Sequence, residues 1–382
     1  MISVDEALGL IAEHKLTLGQ EEIVLQEALG RTLAKDVSSR LTQPPADVSV
    51  MDGYALRNAK LDEQYEIVGE SRAGEPFTGE IGAGEAIRIF TGAYLPAGAD
   101  RVIMQENVNR DGQGISLKDI SGPNFIRARG LDFSKGDILI EKDTKIEPSH
   151  IMLMAAAGVS RLEVKSCPRI GILRGGDELV PPGTDPAEGQ IMDANGPGLI
   201  ALLQSWGVET IDLGIAKDDL DDILARIEPE LDKLDIIIPI GGASVGDYDY
   251  MQSAFEALDF KPIFSKVAVK PGKPTWFSKK GKTYVLGLPG NPSSAWVCTH
   301  IFLPALIGKT LKTGVETAYI DIPAGGGREE YLRAIIRSDG AEILPKQDSG
   351  LIRPLARANA LVRRRAGSDK VQSGDKLEVI YL

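Results

Sequence analysis

Glycine and carboxylate recur together in this sequence at places that suit a phosphate and a hard cation. The stretch Asp235 to Asp249 reads DIIIPIGGASVGDYD. Its apolar run, Ile236 to Ile240, stops at Gly241-Gly242 and is followed by Ser244, Gly246, Asp247 and Asp249. Glycines let a backbone come close to a ligand, and their N–H groups favour anions. Acids just behind them suit Mg2+ held against phosphate. A plain glycine turn after a buried strand reads the same way, because glycine motifs have many chance matches. Repetition favours chemistry. Arg174-Gly175-Gly176-Asp177-Glu178, Gly214 with Asp218, and Gly287-Leu288-Pro289-Gly290-Asn291-Pro292-Ser293-Ser294 each follow an apolar run. Asn291 can N-cap a helix and Pro292 suits its first position, so that helix start offers N–H groups to phosphate. Glu178, Asp218 and Asp249 suit an oxygen-ligand Mg2+ site, with Asp218 alternatively the cap of its own helix. Lys266 and Lys270 lie in KVAVKPGKP, where strand alternation puts both on one face, either as an anion site or as an exposed charged strand.

These loops need a scaffold that brings them together. From Arg169 onward strands and helices alternate. Strands are expected at Arg169–Leu173, Val208–Leu213, Asp235–Ile240 and Thr283–Leu286. Helices are expected at Gly196–Trp206, Asp219–Leu234, Met251–Leu258 and Ser293–Leu306. That alternation predicts a parallel sheet with helices on both faces and ligands outside the carboxyl ends of its strands. Upstream, Ser3 to His14 is expected to be a helix with Ser3 and Glu6 as a capping box, and Gln20 to Lys35 a second helix. Short strands and glycine turns from Tyr65 to Gln105 predict a small β module, preceded by PPADVSVMDGYA, whose Asp52-Gly53 by itself reads as a surface turn. Thr91 and the Arg127, Arg129, Asp132 segment lie in loops that could serve a ligand. The alanine-rich Ser149–Val159 is expected to pack as a helix with the N-terminal ones. Ala318 to Leu382 returns to short strands, as in a small barrel or sandwich. The whole is a multidomain α/β plus β chain. Residues 1–40 and 138–166 form a discontinuous helical domain and 41–137 an inserted β module. Residues 167–311 form the α/β domain and 312–382 a C-terminal β barrel.

Composition excludes several classes. The 382 residues allow two to four domains of ordinary size. A net charge of -12 argues against nucleic acid and membrane surfaces, so an anionic substrate needs a local basic patch. Cys167 and Cys298 make no disulfide framework, and with only His14, His150 and His300 beside them a Cys/His zinc site is not expected. No apolar run reaches membrane-spanning length, and the expected location is cytoplasmic.

Taken jointly, MDGYA (Met51–Ala55), TGAYLPAGAD (Thr91–Asp100), GDEL (Gly176–Leu179), GGASVGDYD, KPGKP (Lys270–Pro274) and GLPGNP (Gly287–Pro292) resemble the molybdopterin molybdenumtransferases. These are the MoeA-type enzymes of molybdenum cofactor synthesis, related to the E domain of gephyrin. The resemblance runs in the family's order over nearly the whole chain. It implies a molybdopterin-binding α/β domain within a four-domain homodimer. The active site would lie between one subunit's α/β domain and the other's N-terminal part. The implied substrates are adenylylated molybdopterin and molybdate, with Mg2+ assisting pyrophosphate cleavage and AMP released. An upstream adenylyltransferase and downstream maturation proteins are implied partners.

Matched motif by motif, the catalytic candidates are Asp52, Thr91, Glu178 and Asp249, joined by Asp132 and Asp218 from the loop reading, with Glu178, Asp218 and Asp249 on the metal. Substrate contacts fall on Gly241, Gly242, Ser244, Gly246, Lys266, Lys270, Pro289, Gly290 and Pro292. Arg333 in EYLRA and Ser349 in QDSGL resemble the family's oxyanion-binding pair. Arg363-Arg364-Arg365 departs from the pattern, standing where an apolar residue and a proline are usual, and is expected to face solvent. A gephyrin-like scaffold that binds peptides is the rival reading. It does not need Asp52, Glu178, Asp218 and Asp249 together, and all are present.

Overall fold

The structure is a computed structural model describing residues 1–242 and 250–382. Ser244, Gly246, Asp247 and Asp249 therefore lie outside the described residues. The chain divides into two bodies: Met1–Leu18 with Ser166–Leu382, and Gly19–Lys165.

The first body is built on a six-stranded sheet. Its order is Glu209–Ala216, Arg169–Gly175, Ile236–Ile240, Thr283–Gly287, Trp276–Lys280, Lys261–Phe264. Neighbours among the first four run parallel, as expected. The last two join antiparallel, so the sheet is mixed and not wholly parallel. A tight turn at Gly281 closes the Trp276–Gly287 hairpin, an element that sequence alternation did not reveal. Every residue of Ile236–Ile240 is buried, and successive side chains enter different cores. Ile236, Ile238 and Ile240 pack with the helices Val4–Glu13, Asn195–Ser205 and Pro292–Ile307, while Ile237 packs with Ile223 and Phe255 on the other side. Period-2 alternation between two apolar faces is why the strand is continuously hydrophobic.

Val4–Glu13 forms the expected N-terminal helix, with Ser3 and Glu6 making the capping box. It packs on Pro292–Ile307 within the first body, while Pro148–Ala156 belongs to the second body and packs there with Ile23, Leu25 and Ala28. The expected helix Asp219–Leu234 is α-helical only at Leu220–Ile227. Pro229 removes a donor, and the rest continues as a 3-10 segment, Glu228–Lys233.

C-terminal strands form a second six-stranded sheet in this body. The main path is Val269–Lys270, Glu329–Arg337, Ala360–Arg364, Lys376–Tyr381, Thr313–Thr317, and Gly340–Ile343 pairs with Glu329–Arg337. The order is open, so the expected barrel is not formed by a closing ladder. Among the described residues an isolated Ala318–Ala341 bridge, and not a ladder, links the end of Thr313–Thr317 to Gly340–Ile343. The sequence suggests a short strand at Tyr319–Ile322, but among the described residues only Ile322 there makes a bridge, to Val371.

In the second body the helical domain expected at the N-terminus proves mostly β. Gln20–Val24 is a strand paired antiparallel with Arg161–Lys165, followed by the one-turn 3-10 segment Leu25–Glu27. Ile23 and Val24 are β-branched, and the core residues Ile23, Leu25, Ala28 and Leu33 do not keep helical spacing throughout, which suits a strand and a turn better than a helical stripe. The β module is a sheet of Arg101–Met104, Gly53–Leu56, Glu85–Ile89, Gln64–Ser71, Gly114–Leu117 and Val108–Asp111. Among the described residues, no helix is long and apolar enough to cross a membrane.

Candidate active site

The carboxyl ends of the parallel strands open into a cleft of about 740 Å³. Glu178, Asp218, Gly241, Gly242, Pro289, Gly290, Asn291 and Pro292 all line it. The sheet thus brings together four loops that are far apart in sequence. Glycine is required here by space as well as by conformation. Gly241 has φ 88°, and a Cβ on it would stand 2.6 Å from the Gly175 carbonyl oxygen.

Asp218 does not cap its helix. Asp219 does, accepting the Asp222 N–H at 3.0 Å. Asp218 faces the cleft, and its N–H donates to the Asp177 carboxylate at 3.2 Å. Partial burial, then the neighbouring Asp177 and Glu178 charges, push the Asp218 carboxyl above its ordinary range. Among the described residues no group of three or more His, Cys, Asp or Glu side chains is arranged to hold a metal.

The helix Pro292–Ile307 starts at the cleft, but its first N–H groups are engaged. Ser293 N–H donates to the Ser349 carbonyl at 3.0 Å and Ser294 N–H to the Asn291 carbonyl at 2.9 Å. The expected bare helix N-terminus is therefore not what this loop offers; the chain's own Ser349 turn has reached the donor first. Asn291 also donates through its side chain to Ser349 Oγ at 3.1 Å.

Arg333 is 1% exposed and anchors this turn. Its guanidinium donates to Ser293 Oγ, to the carbonyls of Asp348 (2.9 Å) and Lys346 (3.4 Å), and to Gln347 Oε1 (3.2 Å). Burial lowers its pKa. Among the described residues no carboxylate forms an ion pair with it. Lys270 lies elsewhere. The expected Lys266–Lys270 strand is reduced to Val269–Lys270, which adds to the C-terminal sheet. Lys270 Nζ is 2.8 Å from Glu330, in a hollow of about 320 Å³ that it shares with Arg364 and Gln347. Lys266 is half-buried, and its carbonyl accepts the Ile2 N–H at 3.1 Å. Arg363 and Arg364 do not face solvent: they pair with Glu329 and Glu330, while Arg365 is exposed and pairs with Glu378.

In the second body Thr91 donates to Asp52 Oδ1 from its N–H (2.8 Å) and from its hydroxyl (2.9 Å). Those two bonds hold the Asp52 carboxyl below its usual range. Asp52-Gly53 is not a hairpin turn. Gly53 opens a central strand, where a Cβ would stand 2.0 Å from the Ile103 carbonyl oxygen. Arg88 braces the same segment. It lies between the Tyr54 and Phe90 rings and donates to the Gly53 carbonyl (2.9 Å) and to Gln105 (2.6 Å). Asp132 is exposed, and its N–H donates to the Gln43 carbonyl at 3.0 Å.

Sequence reasoning missed Arg174, Asp193 and Asn195, which also line the cleft. Arg174 stood in the quoted RGGDE loop; an arginine directly after a buried strand was the available signal.

Comparison with known proteins agrees with this geometry over the full length. Residues 2–158 match the model of the MoeA N-terminal region (domain I and II), 171–308 the probable molybdopterin binding domain, and 317–382 the MoeA C-terminal region (domain IV). A molybdopterin molybdenumtransferase of Haemophilus influenzae is 37% identical over 315 residues, 81% of this chain and 78% of that protein. One from Staphylococcus aureus is 28% identical over 401 residues, covering 99% of this chain and 95% of its own. The crystal structure of a molybdopterin biosynthesis MoeA protein from Pyrococcus horikosii superposes with a TM-score of 0.84 at 29% identity, covering 100% of this chain and 99% of that one. With three family models matched in order over nearly the whole length and a relative 37% identical over 81% of it, this chain belongs to the MoeA family of molybdopterin molybdenumtransferases.

Proposed function

We propose that this member of the family takes molybdopterin in adenylylated form, cleaves the phosphoanhydride with Mg2+, and releases AMP as molybdenum is inserted. Transfer of molybdate to molybdopterin is the family's reaction, and this chain catalyses it. The observation that carries the finer reading is the convergence of Glu178, Asp218, Gly241, Gly242 and the Pro289–Pro292 loop in one cleft. The glycines admit the pterin's phosphate close to the backbone. Glu178 and Asp218 carry mutual repulsion that a cation would relieve, and Asp249 is the third proposed ligand. Mg2+ held there would neutralise charge developing on the breaking anhydride. Asp52, Thr91 and Asp132 complete the catalytic set from the partner protomer of a homodimer.

Molybdate is assigned to the turn at Ser349. Arg333 is a buried cation whose hydrogen-bond partners among the described residues are neutral, with the Asp348 charge acting on it without an ion pair, and such a cation favours a further anion beside it. Lys270 adds charge from the neighbouring hollow, where Gln347 contacts both regions. Arg333→Ala is expected to raise the molybdate concentration for half-maximal insertion about ten- to a hundredfold, with binding of the adenylylated pterin little changed. Ser349→Ala, which keeps the buried guanidinium, is expected to raise it roughly three- to tenfold. Unchanged molybdate dependence in Ser349→Ala, with pterin binding lost in Arg333→Ala, would move this turn to the pterin pocket.

A further inference from the structure

Arg174 sits at the end of the strand Arg169–Gly175, with its side chain 7% exposed. Its Nε donates to Asp193 Oδ2 at 2.9 Å, and Asp193 is 2% exposed. Its other nitrogens reach both oxygens of Asp212 on the adjoining strand and the Ile172 carbonyl. The far oxygen of Asp193 accepts the Gly196 N–H at 2.9 Å, at the start of the helix Asn195–Ser205. One residue earlier, the Asn195 side chain donates to the Gly290 carbonyl at 2.7 Å. The packing leaves no slack: a Cβ on Gly196 would stand 2.5 Å from Arg174 Nε and 2.6 Å from Asp193 Oδ2. Hydrogen bonds thus run from Asp212 through Arg174 and Asp193 to the Gly196 N–H, and one peptide unit links Gly196 to Asn195, whose side chain bonds the Gly290 carbonyl of the GLPGNP loop.

We infer that Arg174 is a positioning residue for the pterin nucleotide, acting through Asp193 and Asn195 to fix the Gly290 loop at the cleft wall. A burial of this kind is costly unless every partner is satisfied, and here the guanidinium is bonded on both sides. Its rigidity is delivered to a loop whose backbone must meet the ligand at close range. The inference rests on the reading that the pterin nucleotide occupies this cleft.

Its test uses the full-length protein and the variants Asn195→Ala, Arg174→Lys and Arg174→Met. Asn195→Ala leaves the buried ion pairs intact, so its Tm should stay close to that of the parent. Its KM for adenylylated molybdopterin is expected to rise about three- to tenfold, with the molybdate dependence and saturated rate little changed. Arg174→Met should show the same KM shift at a lower Tm, and Arg174→Lys should recover part of both. The double variant Asn195→Ala with Arg174→Met should cost no more in KM than the larger single effect, because both act on one path. Amide hydrogen exchange at residues 287–291 should be faster in Asn195→Ala and Arg174→Lys, a readout that does not depend on what binds. Faster exchange without a KM shift would mean that the brace exists but the nucleotide lies elsewhere, and the inference falls together with that reading. An unchanged exchange rate in Asn195→Ala, or a Tm loss in Arg174→Met with an unchanged KM, would leave Arg174 a fold residue only.

Discussion

Asp218 shows how a site residue can be costly to the fold that carries it. Its carboxyl is pushed up by burial and by the Asp177 and Glu178 charges, so the folded state holds its proton more tightly than the unfolded chain does. The folded state therefore loses stability as pH rises from the ordinary aspartate range through the raised value, and does not regain it above. Without metal, Asp218→Asn should raise Tm at pH 8, and the gain should fall away below about pH 3, where aspartate is protonated in either state. Mg2+ should reverse the order at pH 8, stabilising the parent more than the variant. A lower Tm for Asp218→Asn at pH 8 without metal would contradict the repulsion. Glu178→Gln relieves part of the same repulsion, so without metal it should leave the fold intact and not lower Tm, and it should slow Mg2+-dependent AMP release by about a hundredfold, given what a single well-placed electrostatic group contributes. Unaltered turnover with unaltered Mg2+ dependence would remove Glu178 from the metal assignment.

At the level of elements, the run Arg363-Arg364-Arg365 shows a charged substitution absorbed by pairing. The ladder puts Arg364 opposite Glu330 and Arg363 opposite Glu378, so two of the three arginines face carboxylates across strands. Arg363 also reaches Asp5 at 2.6 Å, tying the N-terminal helix to the C-terminal sheet within one body. Glu330 is 4% exposed and is shared by Arg364 and Lys270. Arg364→Leu should leave Glu330 undercompensated and cost about 3 kcal/mol in urea unfolding, the scale for breaking one side of a buried pair. Adding Glu330→Gln should recover most of that loss. A cost below roughly 0.5 kcal/mol in the single variant would place the pair with surface ion pairs.

For the whole molecule, the proposed homodimer makes a prediction that no single chain can satisfy. Asp52 with Thr91 and Glu178 with Asp218 lie in different bodies of the chain. Asp52→Ala and Glu178→Ala chains, each inactive alone, should recover about a quarter of parental activity when mixed and allowed to exchange. Half of the dimers would then be mixed, with one of two sites intact, under random pairing of symmetric protomers. No recovery after confirmed subunit exchange would put the whole site within one chain.

Much of the cleft was legible in the sequence because strand-end chemistry is local. Gly241-Gly242 after Ile236–Ile240, and Pro289 to Pro292 after Thr283–Gly287, are dictated by a buried strand followed by a tight turn. The alternation of such units already implies one shared edge. The Gln20–Val24 strand was not legible, since its identity depends on Arg161–Lys165, more than a hundred residues away. The antiparallel edge strands of the sheet depend likewise on partners that periodicity does not name. Gly53 looked like a turn because Asp-Gly is a turn signal; only the approach of the Ile103 carbonyl shows that a central strand needs it. Arg174 looked like part of a glycine loop, and Arg333 like an open anion donor. Whether a guanidinium meets solvent, a ligand or the chain's own carbonyls is set by what folds against it. Local backbone preference is written in neighbouring residues, whereas burial and the pairing of charges belong to tertiary contacts.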